Sequence, residues 1–401
     1  MAINPALLGA VANQAGVVVP GAPGTLSLSS ATAASIALTW SAPSDNGGGT
    51  ISGYKIQKKT TSSWSDVTAD TGSTSTTYSA TGLTSSTTYY FRVAAINEKG
   101  AGAYGNEPSL ATSAAFIYST TGSPTVTDYT AGGVTYRSLK WTGAGTLTVS
   151  SNANSVSLDA LSVAGGGGGG YTGGGGGAGG METYAISGGS SVDTWTLVVG
   201  GGSAGATHWA SQGSDGTASS ITGTSAGAVV STSGGGGAGS VSVNSARSGG
   251  SGGGECRNGG SVGSGTSGEG NDGGLGWASD ASGGGGGKGS VGETSPTSGV
   301  GGDGGSGGTN DYIDGNASGT TNGTHYFAGG GGGNSFAGSY GSATYGGGRG
   351  GYDQQAGLDG TAVTGGGGGG GSRSWNGIGS DPRFGRTGGS GVVVIRFPYT
   401  P

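Results

Sequence analysis

The chain has 401 residues, 104 of them glycine, and a net charge of −6 with only 9% charged residues. Such sparse positive charge excludes a nucleic-acid binder, which needs clustered Lys and Arg to neutralise phosphates. One cysteine, Cys256, excludes an internal disulfide framework, and two histidines, His208 and His325, leave it without partners for a zinc site.

The first segment, MAINPALLGAVANQAGVVV, has no basic residue ahead of its apolar stretch, and Asn4, Pro5, Asn13 and Gln14 interrupt it. It does not read as a secretory leader. Leu7, Leu8 and Val11 suit a short anchor or docking segment over residues 1–19, with a frayed terminus as the plainer alternative. No stretch approaches the roughly 20 apolar residues of a membrane span, so no membrane insertion is expected.

From Pro20 to Ser113 the glycine content is ordinary and apolar residues alternate. Ser35–Trp40, Gly53–Lys58 and Tyr89–Ile96 have the period of two expected of strands, with turn clusters such as Asp45-Asn46-Gly47-Gly48 between them. Short strands at this spacing predict a sandwich of about seven strands. The segments PGAPGTLSLSSATAASIALTWSAP, GGTISGYKIQKK and TGLTSSTTYYFRVAAINEKGAGAYGNEPS resemble a fibronectin type III domain over residues 20–113. The resemblance implies that Trp40 and Tyr54 pack in the core and that Leu83 and Tyr89 form a tyrosine corner. The loop 97–102 carries no integrin-type RGD tripeptide, so the domain reads as a spacer or docking module.

Beyond residue 114 the composition shifts again. Tyr136–Trp141, Gly145–Ser150 and Val156–Val163 read as strands, and the last runs directly into AGGGGGG. At the far end VVVIRF, residues 392–397, is strongly β-prone and has no local partner. It is predicted to pair with the strands before Gly165, making the segment between them one long excursion whose ends meet. Within 164–391, glycine runs recur at 165–170, 173–177, 234–237, 283–287, 329–333, 346–348 and 365–371, without the strict period of collagen. So much glycine without a period ordinarily signals disorder. Nearly pure runs that follow apolar residues, bounded by a closing strand, instead suggest a folded device. Glycine can form a left-handed extended helix of three residues per turn and about 3.1 Å rise, and without Cβ atoms such helices can pack closely and hydrogen-bond on every side. The expected fold class is therefore all-β: a fibronectin type III sandwich, then strands framing packed polyglycine II helices with exposed loops, and almost no α-helix.

The segments TYRSLKWTGAGTLTVSS, VSLDALSVAGGGGGG, DTWTLVVGGGSAG, GSDGTASSI, GEGNDGG, GGDGGSGG and GGSGVVVIRF resemble, in this order, the glycine-rich domains of phage tail and appendage proteins. A related architecture occurs in tip adhesins of some T-even-like phages, where polyglycine II helices form the core and the segments between them bind receptor. The resemblance covers about residues 114–399; the fibronectin-like domain ahead of it departs from those adhesins. It implies a protein made in the bacterial cytoplasm and carried on the exposed virion surface, joined through its N-terminal region to other tail or appendage proteins. It further implies a bacterial surface glycan or outer-membrane protein as the partner. A homotrimer is left open, although no heptads mark a coiled-coil stalk.

The segments between runs carry most of the large side chains amid Ser, Thr, Asn and Asp, the palette of antibody recognition loops and one suited to stacking on sugars. His208, Trp209, Trp277, Tyr312, Tyr340, Tyr345, Tyr352 and Trp375 are the candidate receptor contacts. Trp195, in the apolar run Trp195–Gly200, and the pair Tyr326-Phe327 read as structural. His208 lies near Ser211 and Asp215, but these residue types are abundant here and a triad is a spatial arrangement, so no catalytic role is expected. GGGGGKGS has Gly289 between Lys288 and Ser290 and no following helix pattern, which rules out a phosphate loop. Gly301-Gly302-Asp303-Gly304 lacks the spacing of calcium-binding repeats. Neither cofactor nor metal is expected. Host recognition by a tail fibre or similar appendage is the leading expectation; a non-enzymatic structural or decoration protein of capsid, neck or tail is the rival, and a bacterial surface adhesin a third class.

Overall fold

A computed structural model describes residues 16–113, 115–152, 156–186, 193–225, 227–257, 259–278, 280–314, 326–336, 338–372 and 383–399. The chain divides into two compact units, Met1–Phe116 and Ile117–Pro401. Among the described residues there is no α-helix.

In the first unit, strands β1 (Ser27–Ser29), β2 (Ile36–Thr39) and β5 (Thr77–Ala80) form one antiparallel sheet. The other is built from β4 (Ser65–Thr68), β3 (Gly53–Lys59), β6 (Thr88–Asn97) and β7 (Gly100–Tyr104), with β8 (Ser109–Ala111) also on β6. Alternate residues of β2, β3 and β6 point inward, so Ile36, Leu38, Tyr54, Ile56, Phe91 and Val93 meet in one core, each such burial contributing roughly 1.5–3 kcal/mol. Trp40 meets Tyr54 edge to face at 5.1 Å. The Tyr89 hydroxyl accepts the Thr84 N–H at 3.0 Å, which ties the turn before β6 to the strand. The tryptophan, the third-strand tyrosine and the tyrosine corner are therefore all core elements, as their pattern implies.

The second unit begins with two antiparallel five-stranded sheets. One runs β10 (Thr125–Ala131), β11 (Val134–Trp141), β20 (Val392–Pro398), β13 (Leu158–Val163), β14 (Met181–Ile186). The other runs β17 (Gly227–Thr232), β16 (Ser219–Gly223), β15 (Asp193–Val198), β12 (Gly145–Ser151), β9 (Ile117–Thr121). The last strand of the chain thus lies at the centre of its sheet, pairing Leu139 with Ile395 on one side and Leu161 with Val394 on the other. Its unbroken apolar run has a direct cause. One face looks into the sandwich, where Ser162 of β13 and Thr232 of β17 join at 2.9 Å. The other carries Val392 and Val394 against Leu161, Val163, Met181, Ile313 and Phe327. A strand buried on both faces loses its alternation. Four strands of these two sheets, β14 to β17, arise from within 164–391, as does the separate two-stranded pair β18 (Gly308–Thr309) and β19 (Tyr326–Phe327).

The glycine runs leave this sandwich as extended rods, and residues 165–170 show how they pack. Gly165 and Gly168 donate to the carbonyls of Thr217 and Ser214; Gly166 and Gly169 donate to Gly389 and Arg386; Gly167 and Gly170 donate to Gly177 and Gly174. Their carbonyls accept from Gly235 and Ala238, from Ser203 and Ala206, and from Gly368 and Gly371. Every third residue returns to the same neighbour, so the rod has three residues per turn. It bonds to three antiparallel neighbours through its N–H groups and to three parallel ones through its carbonyls. Runs 174–180 and 365–371 are likewise surrounded, the former bonded to 167–170, 233–239, 251–254, 283–286, 331 and 365–368.

Glycine is required at most positions of these rods, with buried exceptions such as Ala178 and Ala238. An added Cβ on Gly165, Gly166 or Gly167 would run into the backbone of Gly201, Gly366 or Gly236, well inside contact distance. With no side chains to bury, the hydrophobic effect contributes little. Each backbone hydrogen bond is worth about 1 kcal/mol net, against a glycine ordering cost of similar size, so the rods stand only as a mutually bonded set.

Candidate functional site

The rods fix which segments share an end. Run 165–170 starts at the end of β13, hence at the sandwich, and finishes at Tyr171-Thr172. The runs parallel to it finish on the same far side, where two of them open into segments 207–212 and 240–244 and the third ends at Ser372. Residues 251–254 run antiparallel to 175–178, climb away from the sandwich and lead to 255–260; 271–274 climb beside them to 276–281. Residues 330–333 and 348–351 rise in the same direction into 335–340 and 352–355.

Five of the sequence-predicted contact residues therefore sit together at the loop end: His208, Trp209, Trp277, Tyr340 and Tyr352. Trp209 is 52% exposed and Trp277 44%, large values for indoles. His208 tilts against Trp209 at 5.2 Å. Tyr340 is exposed and supports the Arg349 guanidinium at 4.6 Å from its ring. Tyr352 is half-buried, held by reciprocal backbone bonds with Gln355 at 3.0 and 2.7 Å. Trp375 falls outside the described residues.

Tyr312 and Tyr345 go to the opposite end, beside the sandwich. Tyr312 packs on the core around Phe327 and lies 3.9 Å under the Arg396 guanidinium, and burial pushes its phenol above the ordinary value. Tyr345 tilts against Tyr326 at 4.2 Å between ring centres. Neither shares a surface with the other five. Trp195 is buried in β15, and Phe327 is buried against β13 and β20.

Backbone bonds knit the loop end into one platform. Ser242 donates to the Trp209 carbonyl and Cys256 to that of Asn244; Cys256 bridges to Ser282, Ala281 to Ser335, and Ser335 to Tyr352. Buried carboxylates act as internal caps. Glu255, 1% exposed, accepts the N–H groups of Gly260 at 2.5 Å and Gly276 at 2.9 Å, and so spans two loops. The Cys256 thiol lies against the Thr172 carbonyl at 3.3 Å, and burial pushes its pKa up to about 11. The guanidinium groups of Arg257 and Arg383 lie over Phe336 and Tyr171 at 4.9 and 5.5 Å. These arginine–aromatic pairs are invisible in the sequence, because the partners lie far apart in the chain. Among the described residues no group of three His, Cys, Asp or Glu is placed to hold a metal.

Residues 141–398 match the family described as the glycine-rich domain. This chain belongs to that family. Ahead of the glycine-rich domain, residues 21–111 match the fibronectin type III domain. Among solved structures, domains A168–A170 from titin are 30% identical over 24% of this chain and 32% of that one, with a TM-score of 0.23. A fourth fibronectin type III domain from human is 24% identical over 27% of this chain and 90% of its own, with a TM-score of 0.23. The FN5 domain of Drosophila Lar is 24% identical over 24% and 100%, with a TM-score of 0.20. The chain spans about a third of the length of the titin structure.

Proposed function

We propose that the protein is a recognition subunit of a phage tail fibre or related virion appendage. Its loop end adheres to a bacterial surface glycan or outer-membrane protein, without enzymatic activity. The N-terminal region would join it to other virion proteins. The observation that carries this reading is the grouping of exposed Trp209, Trp277 and Tyr340 at the one end of the rods that faces away from the sandwich. Aromatic side chains with few rotatable bonds, set among Ser, Asn and Gly, give large contact area at low entropy cost. An added Cβ at the rod glycines would strike a neighbouring backbone, so large side chains are confined to the rod flanks and the loops beyond the rod ends.

The test uses fluorescently labelled full-length protein and the bacterium that its phage infects. It should label those cells and compete with phage adsorption. A variant combining Trp209→Ala, Trp277→Ala and Tyr340→Ala should lose labelling while melting at the unchanged temperature. Labelling retained by that variant would move the contact away from these three aromatic residues, and phage that adsorb normally after deletion of residues 117–401 would favour the decoration reading.

A further inference from the structure

The backbone of rod 301–306 shows which of its sides are filled. The N–H groups of Gly302 and Gly305 donate to Ser282 and Gly285, and those of Gly301 and Gly304 donate to Ser339 and Ser342. The carbonyls of Gly302 and Gly305 accept from Gly333 and Gly330, and those of Asp303 and Ser306 accept from Glu293 and Gly289. A rod with three residues per turn offers six directions, three through N–H groups and three through carbonyls. Four are therefore taken. The fifth belongs to the N–H groups of Asp303 and Ser306, and the sixth to the carbonyls of Gly301 and Gly304. Ser290 Oγ accepts the Ser306 N–H at 2.9 Å. Neither the Asp303 N–H nor the Gly304 carbonyl has a hydrogen-bond partner among the described residues. The four filling segments also bond to one another in turn, 290–293 to 283–287, 283–287 to 330–333 and 330–333 to 341. The two unfilled sides therefore lie next to each other, between 290–293 and 342–344.

At that place Asp303 and Gly304 line a groove of about 270 Å³. Glu293, Asp303 and Thr344 also line it and are exposed, so it opens to solvent. Its lining holds these two carboxylates and no Lys or Arg. The Asp303 carboxylate accepts the Ser342 N–H at 2.6 Å, and neither it nor Glu293 has a cationic partner among the described residues. A rod flank with free N–H and carbonyl groups is to these helices what a free edge is to a sheet, a seat for one more of its kind. The two carboxylates set the charge of what sits there. We propose that the groove seats an extended, glycine-containing segment of a partner polypeptide with Lys or Arg at every third position. Glycine is needed where that segment touches rod 301–306. A period of three brings its basic side chains to one side, toward Glu293 and Asp303. The groove is on the flank of the bundle, so the proposal stands apart from recognition at the loop end.

The experiment is fluorescence anisotropy with the full chain and a labelled peptide of three Gly-Gly-Arg repeats. Binding should saturate and should weaken as salt is raised. Two further peptides should each bind at least about threefold more weakly, the value of one or two exposed ion pairs. One has three Gly-Gly-Glu repeats, and the other has the same Gly and Arg content with its arginines adjacent. Combining Glu293→Gln with Asp303→Asn should weaken the first peptide by a similar factor at an unchanged melting temperature, because Asn keeps the oxygen that accepts the Ser342 N–H. Thr344→Trp fills the groove and should block binding by a second route. Asp359→Asn alters an exposed carboxylate that accepts the Thr387 N–H on another rod, and it should change nothing. The proposal is overturned if the repeat peptide does not bind or if the adjacent-arginine peptide binds as well. It is equally overturned if Asp359→Asn weakens binding as much as the double variant, which would mark attraction to overall negative charge. Sedimentation in which the free chain self-associates and Thr344→Trp abolishes it would make the occupant a second copy and overturn the partner polypeptide.

Discussion

Replacing Gly368 with alanine adds one methyl group at the centre of the glycine-rich domain, and the structure says what that group would meet. Its Cβ would sit 2.6 Å from the carbonyl carbon of Arg386 and closer still to the oxygen. Carbon atoms settle at roughly 3.5–4.0 Å, so the rods through Gly368 and Arg386 must part by about 1 Å. Those rods are joined by Arg386 N–H to the Gly369 carbonyl at 2.9 Å and by Gly389 N–H to that of Gly366 at 2.7 Å. A shift of that size takes both beyond hydrogen-bonding reach, in a place where water does not replace them. Counting about 1–3 kcal/mol for each buried bond lost, the two together give on the order of 2–6 kcal/mol. Against a total of about 5–15 kcal/mol for a folded domain, that is a large share. The expected fall in melting temperature is about 5–15 °C. The control is Gly143→Ala, in the turn between β11 and β12, where a Cβ meets nothing within 4 Å. There the same chemical change should alter stability by no more than about 1 kcal/mol. Scanning calorimetry of the full chain measures both. Equal melting temperatures for the two variants would refute the packed-rod account.

Tyr89→Phe deletes the hydroxyl that holds Thr84 N–H. It should destabilise the fibronectin-type unit by about 1–2 kcal/mol in calorimetry and leave the other transition in place, so it also assigns the two transitions. Cys256 is buried and its thiol is raised to about 11, so a thiol reagent at pH 8 should label it only as the domain unfolds; rapid labelling of the native protein would contradict the closed packing. Burial alone would raise the Asp193 carboxyl, but hydrogen bonds from Thr224, Thr194 and Ser225 outweigh it and hold the group below its ordinary value near 3.8. A depressed folded value means stability that is full above the ordinary value and lost as pH falls through the folded one. Urea titrations below about pH 4 should show that loss in the wild type and a shallower slope in Asp193→Asn.

The fibronectin-type core was legible because its information lies in side chains. Trp40, Tyr54, Phe91 and Val93 announce their inward faces by alternation, and the hydrogen-bonded Tyr89 announces its corner. The closing strand was legible for a related reason: four β-branched residues at 392–395 demand burial on two faces, and only a central position supplies it. The rods were harder. A run of glycines states that it must be packed but carries nothing to say against what. The end to which an aromatic residue belongs is harder still, because Trp277 and Tyr345 stand in similar polar, glycine-rich surroundings. What separates them is parity: the chain reverses at the end of each rod, so a segment's end depends on how many rods precede it.

That parity could not be counted from pure glycine runs, because many rods are not pure. Residues 213–217 read GSDGT, 202–205 GSAG, 357–360 GLDG and 385–388 GRTG. In each, glycines three apart are the positions that face neighbours. Added Cβ atoms at Gly213 and Gly216 would strike Gly168 and Gly165, and those at Gly385 and Gly388 would strike Gly169 and Gly166. The residues between them carry the side chains, such as the half-buried Asp215, paired with the exposed Arg247 at 2.7 Å. A three-residue turn surrounded by six rods needs glycine at nearly every position, with small exceptions such as Ala178 and Ala238, whereas one with an open side needs it only where it touches. Pure runs therefore mark the centre of the bundle and G-x-x-G marks its perimeter, and the two signals together give the rod order. The same rule explains how the domain separates support from contact. Its interior is fixed by the absence of side chains, its flanks accept one or two residues in three, and only the turns beyond the rod ends are free to carry Trp209, Trp277 and Tyr340.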